Sequence, residues 1–375
     1  MIMNGNTGSG SRTKSEGNPG AGPNSIPNTS PKTGSGAVPG TNRFPTDDRR
    51  LDVVSIGRLC IDLNANEIHR PMEDTLTFTK YLGGSPANIT IALTRLGLRT
   101  GFIGRIADDA FGRFIRRYLE QTNVDTTCVV TDQPGSVTGL TFTEIKSPTD
   151  CSILMYRDRA ADLNLEPADV REDLLAGAKA LVVSGTALAA SPSREAVFTA
   201  ISFARKHGTT IVYDIDYRPY TWRNRDEIRT YCSLVAEQAD VILGGKEEFS
   251  LLEPGHDPSQ TFDEEAVARR WLGHRAGLVV IKRGGDGSVA YASNGGIYPG
   301  RTFPAQVVKT FGAGDAFAGA FLYGLLQGWP IGRCQDYGAA AANIVVSSHS
   351  CSDAMPTRDA VEAVLRKHNA LSSTV

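Results

Sequence analysis

No apolar run in this 375-residue chain approaches the roughly 18 residues that a membrane-spanning helix requires, which argues against a transmembrane anchor. Charge of one sign is also missing. The 39 Lys and Arg against 41 Asp and Glu leave a formal net charge of -2, so no basic surface for a nucleic acid is expected. The six cysteines (Cys60, Cys128, Cys151, Cys232, Cys334 and Cys351) form no C-x-x-C pair and no cysteine/histidine grouping at zinc spacing. They read as thiols of a reducing compartment. The first residues lack the basic start and apolar stretch of a signal peptide. These absences together predict a cytoplasmic protein whose partners are small molecules, with neither nucleic acid nor membrane among them.

Residues 1–48 are dominated by Gly, Ser, Asn, Pro and Thr and offer almost nothing apolar to bury, so ordering them would cost entropy without return. A disordered tail is expected there, followed by one folded unit over 49–370. Short apolar runs at 53–56, 100–106, 180–184, 209–214, 240–243 and 277–282 have the character of buried strands. Helical patterns at 86–96, 111–121, 193–207, 225–239 and 264–274 lie between them. Strands alternating with helices predict an α/β fold, a doubly wound, mostly parallel sheet flanked by helices. Two regions break the alternation, about 62–82 and 128–160, where strand-like pieces at 75–81, 137–146 and 151–156 follow one another without a helix. They predict a small separate β-sheet serving as a lid over a pocket. The free edges of such a sheet could pair with a second copy to give a homodimer.

Lys309-Thr310-Phe311-Gly312-Ala313-Gly314-Asp315 runs into the helical stretch 316–326. Small residues at a helix start let backbone N–H groups approach an anion, which the helix dipole also favours. Asp315, in the first turn, is placed to take a proton from an attacking hydroxyl. Its alternative is an aspartate that caps a glycine-rich turn. The spacing is neither the P-loop nor the dinucleotide fingerprint.

Gly312-Ala313-Gly314-Asp315-Ala316-Phe317 resembles the G-A-G-D motif of the ribokinase (PfkB) sugar kinases, and Gly83-Gly84-Ser85-Pro86-Ala87-Asn88 resembles their G-G-x-x-A-N element. The resemblance spans roughly 53–342 and implies a ribokinase-like fold using ATP and Mg2+, with a monovalent cation as a further candidate. It implies Asp315 as catalytic base and the amides of Gly312, Ala313 and Gly314 as an anion hole. Asp62, Gly83, Gly84 and Asn88 would hold the sugar, with Asp62 accepting from two adjacent hydroxyls. The alternatives are a turn-forming Asp62 and an Asn88 that satisfies its own helix. Lys282, Gly284 and Gly287 match the K-x-G-x-x-G stretch beside ATP, and Gly338 to Asn343 match the wall near the adenine. As bare sequence these are a hairpin turn and helix packing. The magnesium-ordering N-x-x-E element stands here as Gly245-Lys246-Glu247-Glu248, which keeps Glu248 as a water-mediated metal ligand and loses the Asn. The G-A-G-D segment usually opens with Asp; Lys309 replaces it and would face phosphate or solvent.

A narrower resemblance covers Gly57-Arg58-Leu59-Cys60-Ile61-Asp62-Leu63-Asn64-Ala65-Asn66, then Pro71 to Asp74, Thr77 to Tyr81 and Lys146 to Arg157. These stretches look like the family members that phosphorylate the 6-hydroxyl of 5-dehydro-2-deoxy-D-gluconate in myo-inositol catabolism. A sugar acid needs a cation for its carboxylate, and a guanidinium binds one through two parallel hydrogen bonds. Arg157 is the first candidate and Arg218 its partner, the latter in a stretch similar to the D-x-N-x-R-x-x-x-W pattern of 2-keto-3-deoxygluconate kinases. Each could instead form a structural ion pair with Asp158 or Asp216. Lys80 and Arg105 read as solvated. A kinase for another sugar or sugar acid, such as 2-keto-3-deoxygluconate or fructose, and a low-turnover sugar or nucleotide sensor are the competing readings.

Overall fold

The computed structural model describes residues 44–148, 150–253 and 262–369. The expected tail lies outside the described residues except for its last five positions. In chain order the strands are β1 (Leu51–Ile56), β2 (Cys60–Ala65), β3 (Phe78–Gly83), β4 (Thr100–Ile106), β5 (Asp125–Thr131), β6 (Gly139–Ser147) and β7 (Asp150–Tyr156). They continue with β8 (Ala178–Ser184), β9 (Thr210–Asp214), β10 (Val241–Gly245), β11 (Leu278–Lys282), β12 (Ser288–Ala292) and β13 (Ile297–Gly300).

Nine strands make the main sheet in the order β13-β12-β11-β10-β9-β8-β1-β4-β5. It is parallel from β5 to β11, and β12 and β13 close one edge antiparallel. Successive residues of a strand point to opposite faces. Val53 and Val54, Val182 and Val183, and Leu243 and Ile242 therefore divide between two buried clusters, one on each side of the sheet. One cluster includes Ile89, Ala92, Phe317 and Phe321 from the helices Ser85–Arg95 and Ala313–Leu326. The other takes Val197, Ile228 and Trp271 from the helices Ser193–Lys206, Arg225–Ala236 and Glu264–Leu272. Ala313–Leu326 is apolar on all sides and buried from Asp315 to Leu325, as befits a helix covered all round.

The small sheet is β3-β2-β6-β7, with β2 and β6 parallel at its centre and an antiparallel strand on each side. Two boundaries differ from expectation. Residues 128–131 belong to β5 of the main sheet, paired parallel with β4, because the helix Ala110–Gln121 carries the chain across the sheet face before it returns. The lid instead starts at Cys60, only three residues after β1 ends, so the first strand of the core and the first strand of the lid are joined by the turn Gly57-Arg58-Leu59.

The helices Ser85–Arg95 and Ala313–Leu326 approach closely at Gly319. A Cβ there would lie 2.7 Å from Ala92 Cβ and 3.3 Å from Ile89 O. Gly332, in the first turn of Ile331–Val346, has nothing within 4 Å of its Cβ position. We therefore expect Gly319→Val to lower stability by about 1–3 kcal/mol in urea unfolding through overpacking, while Gly332→Ala is neutral or stabilises by up to about 1 kcal/mol.

Candidate active site

The carboxyl ends of the central strands deliver the charged residues. β1 leads to Arg58, β9 ends at Asp214 with Asp216 and Arg218 just beyond, β10 ends at Gly245 before Glu248, and β11 ends at Lys282. That edge of an open α/β sheet is where ligands bind.

Asp315 occupies the third position of the helix Ala313–Leu326, whose N-cap is Gly312 at φ 84°. A Cβ at Gly312 would come within 2.8 Å of Cys351 Sγ, so both backbone and space demand glycine. The first helical hydrogen bond shown at this end runs from Ala316 N to Gly312 O at 3.0 Å, and the amides of Gly314 and Asp315 face forward as first-turn amides do. The Asp315 carboxylate does not cap its own turn. It accepts from Ser85 Oγ and Asn88 Nδ2, both at 2.8 Å, which ties the starts of the two helices together. Burial, with Asp216 nearby, raises its carboxyl to about 6 against the opposing pull of Asn88, Arg218 and Ser85. Asn88 thus serves Asp315 rather than its own helix, and its Oδ1 is buried with no hydrogen-bond partner.

Asp62 comes from β2 of the lid. A Cβ at Gly83 would sit 2.2 Å from Asp62 Oδ1, so this glycine makes the room in which the carboxylate stands. Gly84, at φ 108°, caps the helix Ser85–Arg95, and its Cβ position lies 2.3 Å from Arg58 O. Burial pushes the Asp62 carboxyl up, opposed by Arg58, Lys309 and Arg218. The lid is docked through His349, whose carbonyl accepts from Asn64 Nδ2 at 2.6 Å. Its ring lies 2.7 Å from Ala65 O and 3.1 Å from the Tyr81 hydroxyl.

On the opposite side Lys282 Nζ donates to Asp214 Oδ1 at 2.9 Å and stands 3.4 Å from where a Gly314 Cβ would be, which brings it to the glycine turn. Burial pushes Asp214 up to about 7 although Lys282 opposes this, because Glu248 and Asp216 add negative charge. Burial alone would lower the Lys282 ammonium, but Asp214 and Glu248 raise it instead. Glu248 accepts Tyr217 N at 3.0 Å and Gly245 N at 2.6 Å, an arrangement that holds the helix Lys246–Leu252 in the absence of the Asn. Gly284 (φ 60°) and Gly287 (φ 87°) form the turn after β11; a Cβ at Gly287 would strike Gly300 O at 2.2 Å. Asn343 donates to Phe303 O at 3.0 Å and Pro304 O at 2.8 Å, fixing the segment that leads toward Lys309, and a Gly338 Cβ would meet Phe317 at 2.8 Å, as helix packing requires.

The cations depart most from the reading of the sequence. Arg157 is buried and its guanidinium is held by Asp162 and by Thr186 O, so it forms a structural pair with a residue other than those anticipated. It also lines a cavity of about 690 Å3 with Met155, Leu163 and Tyr220. Arg218 pairs with Asp216 at 3.0 Å and donates to its neighbour Tyr217 O, while still acting electrostatically on Asp315. Asp216 is itself held at φ 39° and accepts from Ser184 Oγ at 2.8 Å. Lys309 faces neither phosphate nor solvent: it is fully buried, with Nζ donating to Phe311 O at 2.8 Å and Cys351 Sγ at 3.2 Å. Arg105 is buried against Asp132 and Asp169 rather than solvated, and the Lys80 ammonium lies 3.9 Å from the centre of the Phe114 ring.

Sequence reasoning passed over Ser85, Asp214 and Arg58. Ser85 stood inside the recognised glycine element, and Asp214 stood at the end of a buried strand where side chains project into such a site. Arg58 stood inside the quoted stretch Gly57 to Asn66 without a role of its own. Among the described residues, no group of three or more His, Cys, Asp or Glu side chains converges as a direct metal cage, and no helix is long and apolar enough to cross a membrane.

The family model of the pfkB family carbohydrate kinases matches residues 50–358. A 5-dehydro-2-deoxygluconokinase of Geobacillus kaustophilus (strain HTA426) is 60% identical over 325 residues, covering 86% of this chain and 96% of that protein. The crystal structure of a PfkB protein from Polaromonas sp. JS666 superposes with a TM-score of 0.72 at 28% identity, covering 84% of this chain and 99% of that one. A fructokinase with bound ATP from Xylella fastidiosa shares the fold at a TM-score of 0.74 and 23% identity, covering 85% of this chain and 99% of that one. With a matched model over most of its length, a mostly parallel sheet under a small β lid, and a glycine turn leading to a buried aspartate, the chain belongs to the pfkB family of carbohydrate kinases.

Proposed function

We propose that this protein transfers the γ-phosphoryl group of ATP to the 6-hydroxyl of 5-dehydro-2-deoxy-D-gluconate, a step of myo-inositol catabolism in the cytoplasm. The observation that carries the chemistry is the Asp315 carboxylate, buried at the end of a glycine turn and aimed by Ser85 and Asn88. The substrate is supported by the relative 60% identical to this chain.

In this reading Asp62 accepts hydrogen bonds from sugar hydroxyls, Gly83 and Gly84 permit close approach, and the unpartnered Asn88 Oδ1 accepts another hydroxyl beside Asp315. Asp315 takes the proton of the 6-hydroxyl as its oxygen bonds to the γ-phosphorus, and the bond from that phosphorus to the β-phosphate bridging oxygen breaks to release ADP. The amides of Gly312 and Gly314, with that of Asp315, offset charge on the phosphoryl oxygens while Ala313 N is turned to Thr310 O at 3.4 Å, and Lys282, kept charged by Asp214 and Glu248, faces the phosphates. Gly284, Gly287 and Asn343 shape the nucleotide side. The lid keeps out water that would hydrolyse ATP. Glu248, whose two oxygens accept Tyr217 N and Gly245 N, would hold magnesium through intervening water, and the ion would neutralise phosphate charge there; Asp214 is taken by Lys282. A homodimer through the lid is part of the proposal, supported by Leu154 and Tyr156, large apolar side chains left exposed on β7.

ADP release by the purified chain with ATP and magnesium is expected to favour 5-dehydro-2-deoxygluconate over 2-keto-3-deoxygluconate, fructose and ribose. Preference for another of these keeps the kinase and removes the substrate, whereas ATP binding without sugar-dependent ADP formation supports a sensor.

Asp315→Asn should fold and lose activity by about 10³-fold or more, with the wild-type kcat/KM falling below about pH 6 as the base is protonated. The folded carboxyl sits above its unfolded value, so its ionised form is disfavoured in the fold, and the penalty is absent below about pH 4 and complete above about pH 6. Asp315→Asn should therefore gain stability relative to wild type by on the order of 1–3 kcal/mol as pH rises through that window, read by urea unfolding at pH 4 and 7.5. The buried Lys309 ammonium already supplies positive charge at the Phe311 carbonyl. Rates in potassium and tetramethylammonium buffers should accordingly agree within about twofold, the accuracy expected when no monovalent ion is needed there.

A further inference from the structure

We propose that Arg58 is the residue that binds the substrate's carboxylate; this rests on the sugar-acid reading above. Arg58 is only 6% exposed, yet no carboxylate among the described residues pairs with it. Its Nη1 makes two long contacts, to Thr141 Oγ1 at 3.4 Å and Met155 Sδ at 3.8 Å, and its Nε is buried without any partner. A guanidinium carries five N–H donors in a planar fork, and withdrawing one from water without an anion is strongly unfavourable. An incoming carboxylate would supply what is missing.

Three guanidiniums and three aspartates share this neighbourhood: Arg58, Arg157 and Arg218 with Asp62, Asp162 and Asp216. Arg157 is taken by Asp162 and Arg218 by Asp216. Asp62, the remaining carboxylate, is required for hydroxyls, and it forms no ion pair with Arg58. Of the three, Arg58 is the one without a carboxylate partner among the described residues, which leaves its fork open to a bidentate anion.

Its guanidinium lies beside the strand that carries Asp62. Asp62, Thr141 and Met155 are cross-strand partners in one row of the lid, and the Arg58 guanidinium lies against that row. An acid whose 6-hydroxyl meets Asp315 and whose middle hydroxyls meet Asp62 then extends its C1 carboxylate toward Arg58. The main chain of the residue is fixed too, since its carbonyl packs against Gly84 at a distance that no side chain would permit.

The test compares 5-dehydro-2-deoxygluconate with the neutral analogue bearing CH2OH in place of the carboxylate, using wild type, Arg58→Gln and Arg58→Lys. Wild type should prefer the acid. Arg58→Gln should raise KM for the acid by about 10²-fold, the loss expected for removing one member of a buried charge pair, and leave KM for ATP and for the neutral analogue within about threefold. Arg58→Lys, which keeps the charge and loses the fork, should fall between them and decides the matter if Arg58→Gln does not fold. An acid KM unchanged in the variants, or acid and neutral KM rising together, overturns the assignment of Arg58 while wild-type preference for the acid leaves the substrate standing. A wild type without preference for the acid removes the substrate reading itself and this inference with it.

Discussion

Everything at the pocket hangs on the two hydrogen bonds that Ser85 and Asn88 give to Asp315. They join the first turns of two helices 230 and 227 residues apart in sequence, and each bond to an ionised carboxylate contributes about 1.5–3 kcal/mol. For the bonds to form, the helices must meet at Gly319 and Ala92, Gly312 must turn through a positive φ beneath Cys351, and Gly84 must start its helix against the Arg58 carbonyl. The same bonds keep the carboxylate from rising further than about 6, so it is ionised at neutral pH and still basic enough to take a proton. Structural glycines and catalytic geometry are thus one constraint.

Charge is the second theme. The strand ends concentrate Asp214, Asp216, Glu248, Arg218 and Lys282 in a space largely closed to water, with Asp62, Arg58 and Lys309 on the lid side. Isolated, each buried charge would be costly; here the ion pairs of Lys282 with Asp214 and of Arg218 with Asp216 offset part of that cost. The lid participates directly in this balance. Through β2 it contributes Asp62, and through His349 it is fastened to the segment that follows the helix Ile331–Val346.

Legibility varied with how local the cause was. The buried strands and helices could be placed from apolar runs and periodicity, and most boundaries fell within a few residues of those observed. Residues 128–131 were assigned to the lid because an alternating edge strand looks alike in either sheet; only the crossover through Ala110–Gln121 decides which neighbour it finds. Lys309 illustrates the opposite difficulty. A lysine beside a glycine turn reads as exposed, and nothing in its own segment reveals that Cys351, 42 residues away, closes over it.

By itself the sequence determined the α/β class, the position of the glycine turn and the candidacy of Asp62, Glu248 and Asp315, because each follows from short-range pattern or from motifs whose chemistry is local. Pairing was decided only by the tertiary structure: Arg157 with Asp162, Arg218 with Asp216, Asp315 with Asn88, and Arg58 with no carboxylate among the described residues. The physical reason is that an ion pair or hydrogen bond depends on distances of a few ångströms between segments remote in sequence, and those distances exist only once the sheet, helices and lid have packed.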